Sequence, residues 1–86
     1  MLSLFGNKYK DEEITMCAQN ALELESMINS SKMIVQSENG IATLEGSAAS
    51  EREKFRALDT VMTSLQGSRL KFERVEDQMN VLQAVS

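Results

Sequence analysis

The sequence predicts an α+β domain of order αββαβ, a small three-stranded mixed sheet with two helices packed on one face. Three observations predict it. An Asn39-Gly40 pair separates two β-prone runs, two flanking segments carry apolar stripes at helical spacing, and residues 75–81 alternate apolar with polar side chains. A hairpin followed by a helix and a strand closes most simply into one sheet with its helices on one side.

The first helix is expected to start at Asp11, whose carboxylate can cap the free amides of the first turn while Glu12 and Glu13 favour the positive end of the helix dipole. Ile14, Cys17, Ala21, Leu24 and Ile28 form its stripe, and Asn29-Ser30-Ser31 ends it. Cys17, on that stripe, reads as a buried small hydrophobe rather than a reactive thiol. Residues 32–37 then form a strand, and Asn39-Gly40 tolerates the positive φ angles of a tight hairpin. In the returning strand, residues 41–46, Ala42 and Leu44 face one side while Ile41, Thr43 and Glu45 face the other. Gly46 ends that strand or permits close backbone approach.

Ser50-Glu51-Arg52-Glu53 fits a capping box, with the Ser50 hydroxyl accepting from the Glu53 amide and the Glu53 side chain reaching back to the Ser50 amide. Phe55, Leu58, Met62 and Leu65 make the stripe of the helix that follows, widened by Ala57 and Val61, and Gly67 is its expected stop. Residues 68–81 read as the last strand. Leu70 and Phe72 alternate in one phase and Val75, Asp77, Met79 and Val81 in the other, so a bulge near Glu73-Arg74 is expected.

Length bounds the rest. Eighty-six residues make one domain, with an N-terminal arm at 1–10, a folded unit at 11–82 and a tail at 83–86. A chain this short buries only about 60% of its unfolded surface, and its single cysteine excludes an internal disulfide. No run approaches the ~18 apolar residues of a membrane span, and the first ten residues lack the layout of a secretory signal. A cytoplasmic location is the expectation if Met1 is the native start, and a periplasmic one if a signal has been removed.

Residues 11–30 hold Asp11, Glu12, Glu13, Glu23 and Glu25 with no base, whereas residues 51–74 hold six bases against four acids. The net charge of −4 argues against a nucleic-acid partner, which needs a basic footprint. The sequence has no histidine, which excludes serine–histidine and cysteine–histidine catalysis. It also lacks a phosphate-cradling G-x-x-x-x-G-K-[ST] loop. The acid pairs Glu12-Glu13 and Glu76-Asp77 read as solvated neighbours. The chain is expected to be non-catalytic, with no catalytic residues, metal ligands or cofactor assigned.

The order helix, hairpin with G-x-[VA]-T-L-x-G, S-x-x-E, helix and V-x-[ND]-x-[LM]-x-V resembles the BON domain, named for bacterial osmotically induced and nodulation proteins. Its residues here are Gly40, Ala42, Thr43, Leu44 and Gly46, then Ser50 and Glu53, then Val75, Asp77, Met79 and Val81. The resemblance spans roughly residues 11–81. The family usually places Gly-Val a few residues before the last pattern. Here Gly67 stands eight residues before Val75, so either residues are inserted or Phe72 takes the place of that valine. The resemblance implies a binding module of bacterial envelope, secretion or osmotic-stress systems, with phospholipid and, in one type, potassium as ligands.

Two surfaces are nominated. Ile34, Ile41 and Thr43 on the uncovered sheet face are the candidate protein-docking patch, and an unpaired sheet edge is a further route to self-association. Arg52, Arg56, Arg69 and Lys71 are the candidate contacts for an anionic phospholipid, with Arg52 and Arg56 one helical turn apart.

Overall fold

In the computed structural model of the chain, residues 9–82 are described. Of the expected arm only Tyr9 and Lys10 fall among them, and the tail 83–86 lies outside. The element order is the predicted one: α1 (Asp11–Leu24), β1 (Met33–Glu38), β2 (Ile41–Ala48), α2 (Glu51–Gly67) and β3 (Arg74–Val81), with a short 3-10 turn at Ser30–Lys32. The sheet order is β1-β2-β3. β1 and β2 form an antiparallel hairpin, and β3 returns parallel to β2 after α2. Met33, Val35, Ala42, Leu44, Ala48 and Met79 share one phase of the sheet and pack with Ile14, Ala18, Leu22, Ala57, Val61 and Leu65. The three-stranded mixed sheet therefore buries one face under both helices. Small residues mark where the layers approach: Ala18 and Ala57 on the helices, Ala42 and Ala48 on the central strand are all essentially inaccessible.

The hairpin turn is held from several directions. Asn39 and Gly40 have φ of +52° and +84°, the paired left-handed conformations that a two-residue turn requires. Asp11, expected as a helix cap, does something else. α1 starts behind Lys10 without a side-chain cap, and the Asp11 carboxylate accepts the Asn39 and Gly40 amides at 2.8 and 2.9 Å. The Glu73 amide donates to the Gly40 carbonyl at 2.6 Å, and the Tyr9 hydroxyl donates to the Glu73 carboxylate. That bond, helped by burial and by the carboxylate charge, raises the Tyr9 phenol above its ordinary pKa. The Tyr9 ring lies so close to Gly40 that a Cβ there would stand 2.6 Å from it.

Several local expectations are corrected. α1 ends at Leu24, and its buried line is Ile14, Ala18 and Leu22. Leu24 is 85% exposed, and Cys17 is half-buried on the α2 side, where its Sγ lies 3.2 Å from Ser64 Oγ. Of the expected stripe Ile14 is buried at the centre of the face, Cys17 lies on the flank towards α2 and Leu24 points to solvent. On α2 the buried line is Ala57, Val61 and Leu65, so Phe55 is left 61% exposed and Leu58 half-buried. Ser50 does accept from the Glu53 amide, at 3.1 Å. The Glu53 carboxylate, however, takes the amides of Ala49 and Asn29 rather than that of Ser50, joining the loop after α1 to the start of α2. Gly67 is the last residue of α2, and the left-handed turn after it falls on Arg69 at φ +70°. β3 begins at Arg74 without a bulge. Leu70 and Phe72 pack against the core from the preceding irregular segment, which explains their different phase.

β2 runs past Gly46 to Ala48 because Gly46 permits a close approach instead of ending the strand. It sits between Met33 and Met79 at φ +106°, and a Cβ there would lie 2.0 Å from the Lys32 carbonyl oxygen. Gly46→Ala is expected to destabilise the fold by more than about 2 kcal/mol, through combined backbone strain and overlap. Gly67→Ala, in open space, is expected to stabilise it by about 0.5 kcal/mol. Urea unfolding of both variants measures the contrast, and equal effects would contradict it.

Asp77 breaks the apolar phase of β3. It faces the helix layer beside Leu44 and meets Lys54 of α2, whose Nζ lies 3.1 Å from Asp77 and 3.4 Å from Glu51. The hydrogen bond to Asp77 raises the Lys54 pKa above its ordinary value against desolvation, and the charges of Asp77 and Glu51 add to it. The stability held in such a raised pKa is complete below the ordinary lysine value and is lost as pH rises through the folded one. The native chain is thus expected to lose more stability on strongly alkaline titration than Lys54→Gln. Urea midpoints measured along the alkaline branch test this, and parallel curves would refute it.

Candidate functional site

The hairpin register decides what the open face of the sheet presents. Three cross-strand rows follow from it: Ile34–Glu45–Gln78, Gln36–Thr43–Glu76 and Glu38–Ile41–Arg74, with Ser47–Asn80 beyond them. Ile34 is 55% exposed, and Ile41 and Thr43 are half-buried by their neighbours. Ile34 and Ile41 stand two rows apart, roughly 13 Å along the strands, with Thr43 on the diagonal between them. Around that diagonal the face is polar. Gln36 donates to Glu45 at 3.4 Å and Arg74 Nε to Glu76 at 2.7 Å. With Glu38, three carboxylates surround it, against the single guanidinium of Arg74 among the described residues.

The basic candidates do not converge. Arg52 and Arg56 lie near the start of α2 beside a shallow groove of about 240 Å³, lined also by Met27, Ala49, Ser50 and Glu53. Arg56 approaches Glu25 at 3.9 Å. Arg69 and Lys71 follow the far end of the 17-residue α2, roughly 25 Å from Arg52 at 1.5 Å rise per residue. A single head group cannot reach both pairs.

Two residues that the sequence reading did not nominate occupy the sheet edges. Gln19 of α1 donates through Nε2 to the Met33 carbonyl at 3.4 Å and accepts the Val35 amide on Oε1 at 3.2 Å. On the opposite edge, Asp77 Oδ1 accepts the Met79 amide at 2.9 Å. Leu82 N–H faces β2, donating to the Ala48 carbonyl at 2.8 Å. Because strand amides alternate sides, the Met79 amide points away from β2. Such side chains occupy groups that an added strand would use. Asp77 left a trace in the sequence, as an acid in an apolar phase. Gln19 left none, since its partners are fourteen and sixteen residues away.

A family profile for the BON domain matches residues 10–70, from the start of α1 through the hairpin and α2 to Leu70. No curated protein matches the chain. β3, with the Val75 to Val81 pattern, follows the matched span and completes the sheet. A profile match over more than half of the 86 residues, on an αββαβ fold with the expected hairpin and capped second helix, establishes that the chain belongs to the BON domain family.

Proposed function

We propose that the chain is a non-catalytic binding or assembly module that engages a protein partner through the open face of its sheet, at Ile34, Thr43 and Ile41, within a bacterial envelope, secretion or stress system. The observation that carries this reading is one-sidedness: both helices pack on the opposite face, and Ile34 stands 55% exposed on the uncovered one. An isoleucine fully buried on docking gains about 1.5–3 kcal/mol, enough to anchor a contact whose polar rim sets orientation. The surrounding Glu38, Glu45 and Glu76 favour a partner surface that brings basic groups. Family membership supports a binding role.

One observation favours a second reading, contact with anionic phospholipid. Met27, 65% exposed, stands in the same groove as Arg52 and Arg56, so an apolar group could insert where two bases meet head groups. Each base is worth only about 1 kcal/mol at an anionic surface, and Arg56 is partly engaged by Glu25. Potassium binding has the family resemblance alone behind it.

A photo-crosslinking amino acid placed at position 34 is expected to yield a discrete protein adduct in cells, and the same probe at Asp59, on the solvent side of α2, is expected to yield none. Ile41→Lys should abolish the adduct while the variant keeps the native amide spectrum. Absence of a position-34 adduct would sink the protein reading. Co-sedimentation with anionic vesicles that Arg52→Glu/Arg56→Glu abolishes would favour the lipid reading.

A further inference from the structure

The outer edge of β1 is a surface separate from the open face, so either can fail without the other. In the hairpin, Glu38 and Ile41 close a two-residue turn and bond to each other, so the backbone groups of Met33, Val35 and Ser37 point outward. A second β1 laid antiparallel about a two-fold axis at Val35 matches those groups. Val35 meets Val35, Met33 meets Ser37, and Ile34 meets Gln36. The same register, continued by one residue as Lys32 straightens out of its 3-10 turn, brings Lys32 opposite Glu38 at both ends of the pair, and the five residues between them carry no charge. Opposite charges facing across antiparallel strands favour that pairing, and a two-fold interface satisfies both ends at once.

We propose that this edge pairs with a second copy of the chain and that Gln19 is the latch that keeps it closed. The Gln19 amide spans the Met33 carbonyl and the Val35 amide, at 3.4 and 3.2 Å, which are groups the incoming strand takes. Thr15, one turn earlier on α1, donates to the Ser37 hydroxyl at 2.9 Å and holds the helix flank against the same edge. Opening the latch exchanges two side-chain bonds for a continuous ladder across six strands. Glu12 and Glu23 share the helical stripe of Gln19, seven residues before it and four after. Like charges from the two copies therefore face across the seam, so the open dimer stays weak and reversible.

Sedimentation velocity over a concentration series tests this on the native chain, Gln19→Ala and Gln19→Met, the last keeping the side-chain length without the amide. Both variants are expected to self-associate at least roughly tenfold more tightly than the native chain, the scale of losing two competing neutral hydrogen bonds. Gln19→Met gives the same reading if Gln19→Ala does not fold. Adding Lys32→Glu should weaken the variant dimer, and adding Glu38→Lys to that chain should restore it. A variant that keeps the native amide spectrum and stays as monomeric as the native chain overturns the proposal. So does a dimer indifferent to both charge changes.

Discussion

The two-residue turn at Asn39-Gly40 is the constraint on which the rest of the structure depends. Side chains alternate along a strand, so a slip of one residue in the hairpin would turn β1 over relative to β2, carrying Met33 and Val35 into solvent and Ile34 into the core. The turn conformation sets that register, and three other segments hold the turn. Asp11 brings the start of α1, Glu73 the approach to β3, and Tyr9 the chain before α1. Segments far apart in sequence thus meet at one glycine. In a chain without a disulfide, this junction does part of the work that a covalent staple does in other small domains.

From that register follows the division of labour between surfaces. One sheet face is covered by both helices and contains the apolar core. The other is a polar platform crossed by an isoleucine diagonal. The two edges, where a β protein is most exposed to unwanted pairing, carry Gln19 and Asp77 on their backbone groups. Asp77 serves two purposes, since the carboxylate that accepts the Met79 amide also pairs with Lys54 and ties β3 to α2. One sheet face is thus left open while side chains engage backbone groups on both edges.

What could be read from the sequence was local chemistry. Asn39-Gly40 announces its turn because few residues tolerate two positive φ angles. Ser50 announces the start of α2 because its partner is three residues away. Helical stripes located the helices but not the centre of each buried face. Ala18, outside the expected stripe, and Ala57, expected only as widening it, are fully buried, while Leu24 and Phe55 are exposed. Alternation at Leu70 and Phe72 resembled a strand, yet those side chains pack from a connecting segment. For the candidate site, the outward phase of Ile34, Ile41 and Thr43 was legible, but the spacing of two rows between the isoleucines depended on the pairing register. The separation of Arg52 and Arg56 from Arg69 and Lys71 needed only the length of α2. Gln19 and the Asp11 carboxylate act on partners far along the chain, and no local pattern marks them.

Native-state hydrogen exchange at Gly40 and Glu73 tests the central claim most directly. If the turn is the junction described, both amides exchange only through opening of the whole domain, at rates matching those of Leu44 and Val61. Rapid exchange at Gly40 and Glu73 while the core amides remain protected would show a turn that frays independently, and would contradict the account.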